Sequence, residues 1–439
     1  MTALRDALTA VLGAPVTNLV RVAGGASRET WAFDAGGDAL VLRRDPLHDP
    51  QPEGMAREAA AFVAAAAAGV PVPRLRAHGD GSDGIGSPYV VTAHVDGETI
   101  PRRLLRDERW AGVRAGLAGE LGGVLARIHA IPVGSVPGLA IGDRLAGLRA
   151  DHERFGEPRP ALELVLRRLA EQQPPAVTPR VVHGDFRNGN LIIGEDGVRA
   201  VLDWELVHAG DPLEDLGWLC ARAWRFGAPL PVGGFGTREQ LLDGYAAVAG
   251  WRPDPEVLRW WETFAAASWA VICRRQAERH LGGAEQSVEM AVLGRRIAES
   301  EHDALVSLGL TGPVTVTDPL TLPATADASL HDRPTVDELL AAVAGFLTGE
   351  LGEIDDPRLR FSARVAANAL KIARRELRVG DAQRADHRSR LAALGCADDA
   401  ELVAAIRTGS FDDRADQVLA VVREATVAKL TVADPRHLS

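Results

Sequence analysis

The chain has 439 residues, a formal net charge of -11, 46% hydrophobic and 25% charged residues. That is an ordinary globular balance with room for two or three domains at roughly 150 residues each, and its acidity disfavours nonspecific nucleic-acid or anionic-membrane binding. Cys220, Cys273 and Cys396 stand far apart and form neither a disulfide framework nor a zinc pattern, which suits a reducing cytoplasm; no run of ~18 apolar residues predicts a membrane span. The only lysines are Lys371 and Lys429, so no G-x-x-x-x-G-K-[ST] phosphate loop exists, and any cation gripping phosphate in the first 370 residues must be arginine.

The opening, Met1-Thr-Ala-Leu-Arg-Asp6, carries charge and reads as a helix rather than a signal peptide; that helix ends near Gly13-Ala-Pro15. Strands are predicted at Leu19 to Val22 and Trp31 to Phe33. The stretch between them, Ala23-Gly-Gly-Ala-Ser-Arg-Glu-Thr30, holds two glycines, Gly24 and Gly25, that let a backbone approach a ligand, and Ser27 can donate a hydrogen bond. Ala39 to Arg43 is the next strand, Met55 to Ala68 a helix containing Glu58, and Val70-Pro-Val-Pro73 its stop. Gly79-Asp-Gly-Ser-Asp-Gly84 satisfies G-x-G-x-x-G, but a strand, Ser87 to Val95, follows it, so it reads as a loop and not a dinucleotide fingerprint. From Ile100 the composition turns helical. Trp110 to Ala130 has Leu117, Leu121, Val124, Leu125 and Ile128 at helical spacing, with His129 reading as a packed helix-end residue.

The most informative segment runs from Val181 to Trp204. Asn190 opens the apolar run Leu191 to Ile193, and Asp203 closes the run Val198 to Leu202. Asp196-Gly197 between them is a strong two-residue hairpin signal. Asn190 and Asp203 are equidistant from that turn, so antiparallel pairing is expected to set them opposite each other, Cβ atoms roughly 5 Å apart. An amide oxygen beside a carboxylate suits Mg²⁺, and Asp185 in the preceding loop can accept a proton from a hydroxyl; together these are the parts of phosphoryl transfer.

Beyond the hairpin, Asp211 and Asp215 lead into a helix. Leu258 to Gln276 is a Trp-rich helix with Trp261, Phe264, Ser268 and Ile272 on one face, mainly core; its edge, with Arg274 and Arg275, is the candidate lining for a bulky or anionic acceptor. Residues 313–333 form a Thr/Pro/Asp-rich linker. After it come only helices, opened by a capping-box pattern at Thr335 and Glu338. One of these helices has an apolar stripe at Phe361, Val365, Ala369, Ile372 and Ala373, and Lys371, Arg374 and Arg375 read as a solvated basic face.

His183-Gly184-Asp185, then Asn190, then Asp203-Trp204 resembles the catalytic core of the aminoglycoside phosphotransferase and choline kinase-like family, in particular the subgroup similar to kinase-like domains fused to acyl-CoA dehydrogenases. The resemblance spans residues 1–300 and implies an α+β, two-lobed protein-kinase-like fold. It places the antiparallel-sheet lobe at residues 1–97, a mainly helical lobe at 98–312, the linker at 313–333, and a small all-α domain, resembling an uncharacterised helical module, at 334–439. It implies ATP and Mg²⁺ as cofactors, Asp185 as catalytic base, and Asn190 and Asp203 as metal ligands. Gly24, Gly25 and Ser27 would cover the phosphates, Ala93, His94 and Val95 would meet the adenine, and Asp215 would anchor the catalytic loop. The lysine that this family uses on the phosphates is replaced by Arg43, with Glu58 as its expected partner; a guanidinium binds phosphate bidentately with fixed charge. The implied reaction is transfer of the γ-phosphoryl to a small-molecule hydroxyl, on a hydroxyacyl-CoA-like compound, an amino sugar or an alcohol. The missing lysine keeps open a second reading, a nucleotide-binding pseudoenzyme acting through residues 334–439, which are also the expected site of homo-oligomer or protein contacts.

Overall fold

The computed structural model describes residues 1–22, 28–322 and 333–439. Helix α1 (Thr2–Leu12) stops where its apolar pattern does, with Gly13 in the left-handed region at φ 66° and its N–H on the Thr9 carbonyl. Strands β1 (Val16–Val22), β2 (Glu29–Ala35) and β3 (Asp38–Arg44) precede helix α2 (Pro52–Ala67), and β4 (Leu75–Gly79) and β5 (Tyr89–Ala93) follow it. All five strands form one antiparallel sheet in the order β1-β2-β3-β5-β4. The Gly79 to Gly84 run connects β4 to β5 as a loop, as expected.

Period-2 alternation decides which face each side chain takes. Leu40 and Leu42 of β3 are buried with Leu4 and Leu8 of α1 and with Trp31 and Phe33 of β2. Arg43 therefore points to the opposite face. There its cross-strand partner Val90 packs on Met55 and Ala59 of α2, which brings Glu58, one residue from Ala59, over the sheet.

The chain continues through α3 (Pro101–Arg106), α4 (Ala111–His129), α5 (Arg144–Glu153) and α6 (Pro160–Glu171). Next come β6 (Arg180–Val182), β7 (Leu191–Gly194), β8 (Gly197–Val201) and β9 (His208–Gly210). Helices α7 (Leu213–Cys220), α8 (Arg238–Ala249), α9 (Pro255–Leu281), α10 (Val288–Leu293) and α11 (Ile297–Ser307) follow. The last four are α12 (Val336–Thr348), α13 (Pro357–Leu394), α14 (Asp399–Thr408) and α15 (Ala415–Ala433). Contacts group the chain into two compact units, Met1–Gly142 with Pro174–Glu262, and Asp143–Gln173 with Thr263–Ser439.

In the first unit the helical core gathers Leu117, Leu121, Val124 and Leu125 of α4 with Leu241, Leu242 and Tyr245 of α8 and Trp204. The two helices approach backbone to backbone. A Cβ on Gly244 would lie 1.9 Å from the Gly119 carbonyl oxygen, and one on Gly122 would lie 2.2 Å from that of Leu241, so only glycine fits. In the second unit buried carboxylates tie distant segments together. Glu163 accepts from Arg149 at 2.8 Å and Arg407 at 2.8 Å, and Glu301 pairs with Arg159 at 3.1 Å and Lys429 at 3.6 Å. No helix among the described residues is long and apolar enough to cross a membrane.

Two expectations for the C-terminal helices are corrected. The buried side of α13 is Ala363, Ala367, Ile372 and Arg375, whereas Phe361 is 45% exposed and Ala373 is exposed; an Ala-rich helix offers two faces of similar apolarity, and packing chose the smaller residues. Arg374 and Arg375 do not form a solvated face. Arg375 is buried and binds Asp318 through Nε and Nη2, both at 2.8 Å, and Arg374 pairs with Asp337 at 2.8 Å; only Lys371 is exposed. The capping box at Thr335 and Glu338 is present.

Candidate active site

The loop before β7 is held from below. Asp215, at the start of α7 and fully buried, accepts from the backbone N–H of His183 at 2.8 Å and of Gly184 at 2.9 Å. His129 Nε2 reaches the same carboxylate at 3.1 Å while its Nδ1 meets the Tyr245 hydroxyl at 3.1 Å, so the helix-end histidine is structural, as expected. Burial opposes ionisation of Asp215, but the hydrogen bond and charge of His129 outweigh it and hold its carboxyl below the usual carboxylate range. Gly184 has φ 84°, and a Cβ there would lie 2.5 Å from the Leu206 carbonyl oxygen, so this tight turn needs glycine. His183 is buried, accepts the Asp185 N–H on Nδ1 at 3.2 Å and therefore donates from Nε2 to the Leu202 carbonyl at 3.0 Å.

Asp185 is consequently delivered in one orientation. Its Oδ2 accepts from Asn190 Nδ2 at 2.6 Å, and its Oδ1 from Arg187 Nε at 2.9 Å and Trp218 Nε1 at 2.8 Å. Asn190 Nδ2 also reaches the Asp185 carbonyl at 2.9 Å. The amide nitrogen is committed, which leaves the Asn190 side-chain oxygen as the atom to present to a ligand.

The hairpin register differs from the expected one. Gly194 pairs with Gly197, so the two-residue loop is Glu195-Asp196 rather than Asp196-Gly197, and a bulge between Ile192 and Ile193 shifts the remainder. Leu202, not Asp203, lies opposite Asn190, with its N–H on the Asn190 carbonyl at 2.8 Å. Asp203 stands one residue beyond the pairing in the left-handed region, φ 65°, ψ 65°, a conformation rare for a residue with a side chain. That twist turns its carboxylate to the sheet, where Oδ1 accepts from Arg43 Nη2 at 2.8 Å.

Arg43 Nη1 donates to Glu58 Oε1 at 2.7 Å, the expected pair, so one guanidinium bridges the helix carboxylate and the hairpin carboxylate. Burial works against the charge on Arg43, but Glu58 and then Asp203 outweigh it and raise its pKa above the ordinary arginine value. Asp203 responds in kind: burial raises its pKa, and the charge and hydrogen bond of Arg43 bring it below the usual range. Asp203 Oδ2 makes no hydrogen bond among the described residues. This oxygen and that of Asn190 form an acceptor-only pair of the hard-oxygen type that fits Mg²⁺.

Sequence reasoning missed several residues here. Arg28 is 8% exposed, binds Asp45 at 3.0 Å, contacts Glu58 and stands 3.8 Å from Glu205, so Glu58 is shared by two guanidiniums. Burial, then the neighbouring Asp203, raises the Glu205 pKa. Arg187 lies inside the recognised motif and could have been found by its two-residue spacing from Asp185; nothing local marks Trp218. Of the residues expected at the adenine, Ala93 and His94 commit their N–H groups to the Arg74 and Ala39 carbonyls, each at 2.9 Å. Gly24, Gly25 and Ser27 lie outside the described residues. Arg274 pairs with Glu157 and Glu278, each at 2.7 Å, and stacks 4.7 Å from the Phe155 ring, while Trp261 and Phe264 are buried, the core role expected of that face.

Residues 18–261, more than half of the chain, match a family model described as Phosphotransferase enzyme family, and residues 353–437 match a Domain of unknown function (DUF6285). Over 237 residues the chain is 30% identical to acyl-CoA dehydrogenase family member 10 of Mus musculus, covering 50% of this chain and 22% of that protein. Over 211 residues it is 31% identical to acyl-CoA dehydrogenase family member 11 of Gallus gallus, covering 44% and 26%. These matches thus span about a quarter of the length of the curated relatives. Among solved structures, a candidate aminoglycoside phosphotransferase from Ralstonia eutropha JMP134 superposes with TM-score 0.55 at 21% identity, over 70% of this chain and 98% of that one. Aminoglycoside phosphotransferase APH(4)-Ia does so with TM-score 0.50 at 16% identity over the same shares. At such identities the likeness is one of fold.

Proposed function

The chain belongs to the phosphotransferase enzyme family, and from that premise we propose that it transfers the γ-phosphoryl group of ATP to a hydroxyl of a small molecule in the cytoplasm. The observation that carries the proposal is the fixed Asp185 carboxylate, hydrogen-bonded to Asn190 and backed by a loop that Asp215 anchors. Asp185 takes the proton of the acceptor hydroxyl as its oxygen attacks. The Asn190 side-chain oxygen and the Asp203 carboxylate would hold Mg²⁺, which supplies neutralisation of charge on the β- and γ-phosphate oxygens. Arg43, kept in place by Glu58, orients the phosphates, and the family resemblance assigns Gly24, Gly25 and Ser27 to cover them. Of the three adenine positions, Val95 is the one whose N–H is not committed to the sheet among the described residues. Placement and electrostatics provide most of the rate gain in such chemistry, and an arginine can serve both. This favours an enzyme over a nucleotide-binding module. Association of copies or of a partner through residues 334–439 remains part of the proposal, supported by the exposed Leu339, Val343 and Phe346 of α12.

The test is ADP formation by the full chain with Mg²⁺ and ATP against alcohols, amino sugars and hydroxyacyl thioesters. Asp185→Asn is expected to bind ATP normally and to lose transfer by about 10²–10⁴-fold, the scale of general-base catalysis. Full turnover in that variant would show that Asp185 is not the base. Thermal stabilisation by ATP with no ADP from any acceptor would favour the pseudoenzyme.

A further inference from the structure

Asp185 divides its hydrogen bonds between two sides. Oδ2 faces Asn190, on the side assigned to the cation and the nucleotide, whereas Oδ1 faces Arg187 and Trp218. Arg187 is a built feature of that second side. Its Nε holds Asp185, its Nη1 donates to the Asn188 carbonyl at 3.0 Å, and its guanidinium carbon lies 4.5 Å from the centroid of the Trp224 ring. Trp224 in turn packs on Trp218, ring centroids 5.3 Å apart. Stacking on an indole fixes the guanidinium plane and leaves its edge to make directed bonds. Nη2 makes no hydrogen bond among the described residues, and the side chain remains 25% exposed. The chain therefore keeps a permanent positive charge, with a donor to spare, next to the base on the side away from the metal ligand. A cationic amine brought to Asp185 from this side meets like charge. An oxyanion meets a charge-assisted hydrogen bond.

We propose that Arg187 selects the acceptor: it binds an oxyanion, a carboxylate or a phosphate ester, carried by the molecule that receives the phosphoryl group, so that the substrates are hydroxylated anions rather than amino sugars or neutral alcohols. This rests on the phosphotransferase reading above. In the step it serves, the acceptor O–H proton passes to Asp185, an O–P bond forms at the γ-phosphorus, the β,γ-bridging P–O bond breaks and ADP leaves.

The experiment uses the full chain and acceptors of matched length: a hydroxy acid, the corresponding phosphate ester, the neutral amide and the amine. Wild type, Arg187→Gln and Arg187→Lys are compared in steady-state kinetics and, without nucleotide, in calorimetric binding of each acceptor. Wild type is expected to show a KM for an anionic acceptor about tenfold or more below that of the amide, the scale of one charge-assisted bond. Arg187→Gln erases the preference through KM, with a smaller change in kcat, and abolishes the binding heat; Arg187→Lys restores part of both. The carboxylate and phosphate arms identify which oxyanion is taken. Equal loss of kcat for all acceptors in Arg187→Gln, with KM unchanged, would place Arg187 on the transferred phosphoryl group or on Asp185 alone and overturn the proposal, as would preference for the amine. Absence of ADP with every acceptor defeats the phosphotransferase reading instead, and the calorimetric arm still decides whether Arg187 binds anions.

Discussion

Neutralising Glu58 and Arg43 separately and together tests the bridge that the proposed function uses to place the nucleotide. The pair is 2.7 Å apart, with Glu58 fully buried and Arg43 22% exposed. Two unit charges ~4 Å apart interact by about 4 kcal/mol at an effective dielectric of 20. Little of that survives as coupling, because each partner has a second one: Arg28 remains on Glu58, and Asp203 remains on Arg43. A charge-assisted bond contributes ~1.5–3 kcal/mol, and with half of each charge already answered elsewhere the coupling expected in a double-mutant cycle of Glu58→Gln and Arg43→Gln is about 1–2 kcal/mol. Urea unfolding followed by tryptophan fluorescence measures it. Activity should fall more than stability: Arg43→Gln is expected to lower kcat/KM for ATP by about 10²-fold, the scale of one lost electrostatic contact in the transition state. Additivity of the two substitutions within ~0.3 kcal/mol would refute the bridge.

Asp215→Asn leaves a buried amide nitrogen facing backbone donors, and is expected to cost about 1–3 kcal/mol because a buried donor loses its acceptor; calorimetric unfolding checks it. The pH dependence has a definite sign. The Asp215 carboxyl is depressed in the folded state, so its stabilisation is complete above the unfolded value near ~4 and disappears as pH falls through the lower folded value. The variant should lack that part of the acid loss, and an unchanged acid limb would contradict the assignment. Thiol reactivity offers a third check. All three cysteines are buried, and burial raises the Cys220 thiol well above its ordinary value and pushes Cys273 up to about 12. A disulfide exchange reagent at neutral pH should find no fast thiol in the native chain and three after denaturation; a fast native equivalent would contradict this packing.

Much of the site could be read from local pattern because local pattern determines it. The placement of Arg43 above α2 follows from strand alternation, and Glu58 from helical spacing. Asp185, Asn190 and Asp203 sit in one recognisable run. What was not legible depends on a single residue of register or on contacts across the fold. The loop sits at Glu195-Asp196, which slides the pairing by two residues, and a bulge at Arg199 of β8 restores one of them; hydrophobic pattern encodes neither, and the net slip leaves Asp203 just beyond the pairing in a left-handed turn. Trp218 reaches Asp185 from 33 residues away, and Arg28 finds Glu58 from 30. Likewise the basic run at Arg374 and Arg375 reads as solvated in the sequence, but Asp318, inside the linker and 57 residues away, binds Arg375. Charged side chains declare their partners only in three dimensions.

The guanidinium at position 43 also determines how this protein will behave toward chemical labelling. Acylating reagents mark primary amines, and β3, which carries Arg43, offers none. The only ε-amines in the chain are those of Lys371 and Lys429, in α13 and α15. Amine-directed reagents therefore find no target on β3, and arginine-directed dicarbonyls are the chemistry that would register its cation.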